Sequence, residues 1–393
     1  MDIEAIEYGI EKYGTPLYIF DTDIIMKTVN KFRRILNEDL GLCFAIKANP
    51  FLTNLMAESV DRIEVCSMGE FRICRDLKIK PEKILISGVL KKKEDLKQIL
   101  DVYRGGCTYT VESINQFLYM ANWSEANKEV LHLYLRLSSG NQFGMDEKTL
   151  QYTFKTKKMY PYLEIQGIHY FSGTQKKTIE KVLREVEYID NFCCEFEKKM
   201  HVKLMELEYG PGINVSYFEG QQINTEIDMK MISEAISQMQ WKGKIILEMG
   251  RPFAADCGYY ATTVRDIKQT NEKNYCIVDG GMHQLNYDGQ IRGMYTPIFR
   301  VLPEPSAGKV LNWTVCGSLC TANDILIQRA AIKNLQEGNV LVFENVGAYS
   351  VSEGMALFLS HELPSVVFYS KNMGWKIARN KKETYTLNME EQE

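Results

Sequence analysis

Along the first 250 positions, short apolar runs rich in β-branched residues alternate with stretches where apolar residues recur at three- and four-residue steps. The first pattern reads as buried strands and the second as amphipathic helices. Eight runs read as strands, at 42–47, 62–66, 84–88, 107–111, 131–137, 164–171, 204–209 and 245–249. The clearest helix follows Lys177, with Val182, Val186, Ile189, Cys193 and Phe196 on one face among charged residues. Before the first strand, Asp21 or Thr22 is placed to cap a helix carrying Ile25, Val29, Phe32 and Leu36. Strands alternating with helices in this number predict a TIM (β/α)8 barrel, placed at residues 22–244 with the last run at the junction.

After Gly250 the alternation stops. The runs at 274–278, 312–316, 340–344 and 365–369 are β-rich, and a single helix is expected near 324–334. The strand-like segment 16–20 precedes the first barrel helix and is expected to join this second half. Residues 1–21 and 245–393 are therefore assigned to a discontinuous β-domain. No internal repeat or low-complexity linker interrupts the chain, and 389–393 reads as a frayed acidic tail.

Composition adds exclusions. With 393 residues, 45% hydrophobic and 25% charged, the chain is long enough for two cored domains. A net charge of −4 and the lack of a basic face argue against nucleic acid, and Lys91-Lys92-Lys93 reads as a solvated helix start. The acidic first residues do not resemble a signal sequence, and no apolar stretch reaches the roughly 20 residues needed to span a bilayer. A cytoplasmic protein is expected. The ten cysteines include no Cys-x-x-Cys pair, and those inside strand-like runs (Cys43, Cys66, Cys276, Cys316) read as small core residues. The five histidines show no ligand spacing, so no metal site is expected.

Candidate chemistry collects where a TIM barrel keeps its active site, at the carboxyl ends of the strands. The first strand ends at Lys47, where loss of hydration would favour a neutral, nucleophilic amine. The sixth ends in Gly167-Ile168-His169-Tyr170-Phe171-Ser172-Gly173-Thr174-Gln175, with His169 and Phe171 on one side of the strand. The seventh runs into Tyr209-Gly210-Pro211-Gly212, a turn whose amides can cradle phosphate, and the eighth into Glu248-Met249-Gly250-Arg251. Singly these are weak: strand-end lysines mostly reach solvent, and Gly-Pro-Gly is mostly only a turn. Together they fit pyridoxal phosphate, which needs a lysine for its aldehyde, an anion site, a flat group on its ring and a carboxylate at its pyridine nitrogen.

At these residues the chain resembles the fold-type III pyridoxal phosphate decarboxylases, the group of diaminopimelate, ornithine and biosynthetic arginine decarboxylases with an alanine racemase-like barrel. The resemblance rests on Ala45-Ile46-Lys47-Ala48-Asn49, Glu64-Val65-Cys66-Ser67-Met68-Gly69-Glu70, the segments at 167–175 and 248–251, Asp279-Gly280-Gly281-Met282, the segment 316–324 around Cys320, and Gly347-Ala348-Tyr349. It implies that Lys47 is the Schiff-base lysine and that Glu248 pairs with the pyridine nitrogen. Phe171 would cover the ring, and Thr174, Gly210, Gly212, Gly250, Arg251 and Tyr349 would surround the phosphate. Cys320 would be the catalytic cysteine offered by the other subunit of a homodimer, with Thr321, Asp324 and His283 toward the substrate.

Three departures from the better-known members stand out. Phe171 replaces a ring-stacking histidine, Thr321 replaces a Glu or Asp that holds a distal amine, and Phe358-Leu359-Ser360-His361-Glu362-Leu363-Pro364 replaces a tyrosine–asparagine stretch. They resemble the branch with the butirosin-pathway decarboxylase, which acts on an acyl carrier protein-bound glutamate, and the exosortase-associated decarboxylases. The implied activity is decarboxylation of an amino acid or its derivative, free or carrier-tethered. The alternatives are an amino-acid racemase on the same fold and an inactive cofactor-binding homologue.

Overall fold

Asp2 accepts a hydrogen bond from the Ala5 amide at 3.0 Å and starts α1 (Ile3–Tyr13), a helix not singled out from the sequence. A strand, β1 (Leu17–Asp21), leads into α2 (Thr22–Ile35), whose first amides are capped by Asp21, with Oδ1 accepting from Asp23 N at 3.0 Å. Ile25, Val29, Phe32 and Leu36 are buried as their spacing predicts. The computed structural model describes residues 1–305 and 307–391. They divide into a barrel unit, Val29–Val215 with Asn224–Phe253, and a β-unit, Met1–Thr28, Ser216–Ile223 and Ala254–Glu393. Of the acidic tail, Gln392 and Glu393 lie outside the described residues.

The barrel closes in chain order through eight parallel strands. They are β2 (Leu40–Ala45), β3 (Arg62–Val65), β4 (Ile84–Ile86), β5 (Thr108–Val111), β6 (Leu131–Leu137), β7 (Leu163–Phe171), β8 (Glu206–Gly210) and β9 (Lys244–Met249). Each matches one of the eight expected runs to within a few residues. The helices between them are α3 (Thr53–Ser59), α4 (Met68–Asp76), α5 (Lys93–Tyr103), α6 (Ile114–Asn127), α7 (Glu147–Thr156), α8 (Ile179–Met200) and α9 (Thr225–Ser237). The expected stripe of α8 is buried, each large apolar side chain stabilising the fold by about 1.5–3 kcal/mol. The barrel interior also holds a polar cluster absent from the sequence reading. Arg62 Nη1 donates to Glu208 Oε2 at 2.7 Å and its Nη2 to Glu206 Oε2 at 3.1 Å.

The β-unit is a nine-stranded sheet ordered β14–β13–β11–β10–β1–β16–β17, with β15 pairing β10 and β12. Its later strands are β10 (Gly258–Thr270), β11 (Lys273–Val278), β12 (Phe299–Leu302), β13 (Val310–Cys316), β14 (Ile325–Lys333), β15 (Val340–Glu344), β16 (Ser365–Ser370) and β17 (Gly374–Arg379). The N-terminal strand belongs here, antiparallel to β10 and parallel to β16. Ile6 of α1 packs with Leu17, Ile19, Ala261, Val342 and Val367 in its core.

Three expectations are corrected. The helix near 324–334 is a strand, β14: Leu326, Ile327 and Ala330 mimic helical spacing, but antiparallel pairing with β13 decides the conformation. The cut at 244/245 would strip the eighth strand from the barrel, because β9 pairs with both β8 and β2 and the barrel unit runs on to Phe253. Lys91 is no solvated residue either: its ammonium folds back onto Gly88 O at 2.6 Å, and burial pushes it down to about 8 against the pull of Glu112.

Candidate active site

The residues gathered from separate barrel strand ends converge on Lys47. It lies one step beyond β2, in a short 3-10 turn at Ile46–Ala48 rather than in the strand itself. Its Nζ donates to Glu64 Oε2 at 2.6 Å and to Cys66 Sγ at 3.6 Å, and it stands 3.7 Å from Glu248 Oε1. The side chain is 36% exposed while Glu64 is 2% exposed. The amine expected to be neutral instead stands among carboxylates, because parallel register sets Ala45 beside Glu64 and Cys43 beside Glu248.

Glu248 is the electrostatic centre. Burial alone would push its carboxyl up, but the Lys47 ammonium and a 2.9 Å hydrogen bond with His169 Nε2 prevail and hold it well below the usual carboxylate range. His169 is buried, and its Nδ1 has no hydrogen-bond partner among the described residues. Cys66, read from sequence as a core cysteine, donates to Glu64 Oε1 at 3.0 Å; burial and that carboxylate push its thiol far up. Behind this group Arg136 Nη1 donates to Glu112 Oε1 at 3.0 Å, and its guanidinium lies 4.6 Å from the Phe143 ring centre. Glu64, Cys66, His169, Arg136 and Glu112 were not among the assigned site residues. A glutamate inside an otherwise apolar strand run, as in Ile63-Glu64-Val65, was the available signal.

A second group brings together the loops after β7, β8 and β9. Arg251 Nε donates to Thr174 Oγ1 at 3.3 Å, joining the loops after β9 and β7. The turn after β8 comes alongside the β7 loop: Gly212 has φ +64, and a Cβ there would stand 1.9 Å from Gly173 O. At Gly210 a Cβ would stand 2.6 Å from the half-buried Phe171 ring. Only glycine allows the turn after β8 to pack this closely against the β7 loop and the Phe171 ring. Gly250 occupies the turn between Glu248 and Arg251.

The remaining assigned residues lie in the β-unit. The loop between β13 and β14 exposes Cys320. It is held by Asp324, whose Oδ1 accepts from Met282 N and Oδ2 from Leu319 N, each at 2.8 Å. Both carboxylate oxygens accept from the chain's own amides, so Asp324 braces this loop. Thr321 Oγ1 accepts from Asn323 N at 3.3 Å. His283 is 3% exposed, lies 5.1 Å ring to ring from His361, and has neither ring nitrogen partnered among the described residues. Burial and His361 push it down to about 4. Tyr349 adopts φ 69, ψ −37, an uncommon conformation for a side chain of its size.

Pyridoxal phosphate fits the chemistry of the barrel residues: an amine flanked by carboxylates, a buried carboxylate anion, a half-buried aromatic ring and an arginine beside a glycine-rich turn. Comparison with known proteins agrees. A family profile described as pyridoxal-dependent decarboxylase, C-terminal sheet domain, matches residues 17–347. The L-glutamyl-(BtrI acyl-carrier protein) decarboxylase of Niallia circulans is 24% identical over 97% of this chain and 94% of its own. The diaminopimelate decarboxylase of Methanocaldococcus jannaschii is 26% identical over 89% of this chain and 85% of its own. The crystal structure of that archaeal diaminopimelate decarboxylase with L-lysine superposes with a TM-score of 0.85 at 23% identity, covering 98% of this chain and 93% of the other.

Proposed function

The chain belongs to the pyridoxal-dependent decarboxylases, and from that premise we propose that it decarboxylates an amino acid whose distal end is not a free ammonium, with a carrier-linked acyl group as the preferred form. Pyridoxal phosphate is its cofactor. When bound, the cofactor supplies the electron sink for the pair left at the α-carbon as carbon dioxide departs.

Each residue then has a task. Lys47 would hold the cofactor covalently through its amine. Glu248, already an anion, would favour a proton on the pyridine nitrogen, and His169 fixes the carboxylate's orientation through its hydrogen bond. Phe171 would cover the ring and exclude water from it. Arg251, Thr174, Tyr349 and the backbone at Gly210, Gly212 and Gly250 would hold the phosphate. Cys320 returns a proton to the α-carbon, and His283 and Thr321 face the substrate with neutral groups. The protein works in the cytoplasm as a homodimer in which Cys320 of one chain serves the Lys47 site of the other. Among the described residues no helix is long and apolar enough to cross a membrane.

The observation that carries the reading is the Lys47–Glu248–His169 constellation, in which an amine and an oriented buried carboxylate meet at the ends of β2 and β9. The test is incubation of the holoenzyme with ornithine, lysine, diaminopimelate, glutamate and a glutamyl-acyl carrier protein, following carbon dioxide release and α-hydrogen loss. Carbon dioxide from the tethered or acidic substrates is expected. Loss of α-hydrogen without carbon dioxide would convert the protein to a racemase, and efficient turnover of a free diamino acid would remove the substrate proposal.

A further inference from the structure

One carboxylate, Glu185 on α8, gathers donors from the loop after β7 and from the end of β8. Ser172 donates to its Oε1, while Tyr209 Oη, 3.0 Å away, and the Lys176 ammonium donate to its Oε2. Ser172 and Lys176 belong to the loop after β7, and Tyr209 precedes the Gly210-Pro211-Gly212 turn directly. Lys176 extends the link: its Nζ also donates to Pro211 O at 2.8 Å and its backbone N to Gly212 O at 3.1 Å. Beyond it, Gln175 closes the same two loops, with Oε1 accepting from Val215 N at 2.9 Å. The lysine side chain is only 8% exposed, so its charge is matched by Glu185 rather than by water.

We propose that Glu185 is a positioning residue for the cofactor phosphate: it clamps the β7 loop to the Gly-Pro-Gly turn and so sets how tightly the phosphate is held. This rests on the reading that the turn and the Thr174–Arg251 pair form the phosphate site. Glu185 sits on α8, outside the strand-end loops that it ties together. It acts through Lys176, Ser172 and Tyr209, and its carboxylate neutralises Lys176, so the clamp works by geometry and not by adding positive charge to the phosphate site. Gly212 cannot move freely without losing the Lys176 contacts, and a Cβ placed on it would lie 3.3 Å from Lys176 Cε.

The experiment compares binding of pyridoxal phosphate and of pyridoxal, which lacks the phosphate, to the cofactor-free wild type, Glu185→Gln and Lys176→Met/Glu185→Gln, by absorbance titration. Wild type should strongly prefer the phosphorylated form; equal affinity for the two would overturn the phosphate-site reading itself. With that preference established, Glu185→Gln should weaken pyridoxal phosphate by about 10-fold or more, the scale of losing hydrogen bonds to a charged group. Pyridoxal binding should stay within about 2-fold, because its ring and aldehyde contacts remain. Equal loss for both ligands would indicate general loosening of the barrel, and unchanged or tighter pyridoxal phosphate binding would mean that Lys176 is freed to serve the phosphate directly; either result overturns the clamp. Should Glu185→Gln fail to fold, Ser172→Ala removes one donor and leaves the ion pair, and it must show the same selective weakening, smaller in size, for the proposal to stand.

Discussion

His169 Nε2 and Glu248 Oε2 lie 2.9 Å apart in a barrel mouth where the two side chains are 1% and 5% exposed. An isolated carboxyl at such a depth would take up a proton, yet Glu248 is held far below its ordinary range because the histidine bonds one oxygen and the Lys47 ammonium faces the other. The consequence is an anion prepared before any ligand arrives. A site with a fixed negative charge needs no reorganisation when a positive nitrogen must be stabilised, and this is the condition under which charge works best in a dry site.

Replacing Glu248 by Gln keeps the shape and removes the charge. The variant should still bind pyridoxal phosphate, while carbon dioxide release slows by about 10²-fold or more, the scale of losing a prepared charged stabiliser. Single-turnover measurements at saturating cofactor check this, and an undiminished rate would take Glu248 out of the chemistry.

Lys47 makes a separate claim. Lys47→Ala should abolish the borohydride-reducible link between protein and cofactor, read by mass spectrometry of the reduced holoenzyme. A reduced adduct on any other lysine, Lys91 included, would show that the wrong amine had been chosen.

Cys320 and Lys47 belong to different units of the chain, which makes sharing of sites between subunits testable. Lys47→Ala and Cys320→Ala chains should each be nearly inactive. After mixing and demonstrated exchange, mixed dimers should regain one intact site of two, hence about a quarter of wild-type activity at equal mixing and random pairing. Exchange without recovery would sink the shared-site arrangement.

The barrel was legible because parallel strands buried on both faces appear as continuous apolar runs, as 40–45 does, and because α8 keeps a strict helical stripe. The tight turn at 210–212 was legible from its glycines, which occupy places where a Cβ would collide. What escaped depends on register and on paths through space. Glu64 meets Lys47 only because β2 and β3 align Ala45 with Glu64, and Asp324 reaches backbone amides far from it in sequence. β14 escaped because Ala330, Gln328 and Arg329 favour helix locally while its partner β13 enforces extension. The α1 signal was present and overlooked, since Asp2 followed by Ile3, Ile6 and Ile10 is a capped stripe.

Buried His283 carries a pH consequence. Its folded-state value of about 4 lies below the ordinary 6.5, with His361 and the Asp324 carboxylate as its titratable neighbours. A depressed histidine lets the unfolded chain bind a proton that the folded chain refuses, so its contribution is complete above pH 6.5 and is lost as pH falls toward 4. Thermal midpoints at pH 7.5 and 5 should therefore differ more for wild type than for His283→Gln, by the equivalent of about 2 kcal/mol at most. Parallel curves for the two proteins would mean that His283 does not stay neutral when folded.

Thr321 decides the last question, what the distal end of the substrate must be. Its hydroxyl already accepts a long hydrogen bond from Asn323 N at 3.3 Å, and it carries no charge with which to attract an ammonium. A carboxylate at the same position would add a charge-assisted hydrogen bond worth about 1–3 kcal/mol, or roughly 5- to 150-fold in specificity. Thr321→Glu should therefore raise kcat/KM for ornithine, lysine or diaminopimelate by about 10-fold while lowering it for an acidic or carrier-linked substrate, where the new carboxylate repels or crowds the distal group. The contrast between the two substrate classes is the measurement, because a general loss of activity would move both together. If Thr321→Glu leaves the ratio of the two specificity constants unchanged, position 321 does not face the distal end, and selection of the substrate must lie elsewhere in the β-unit.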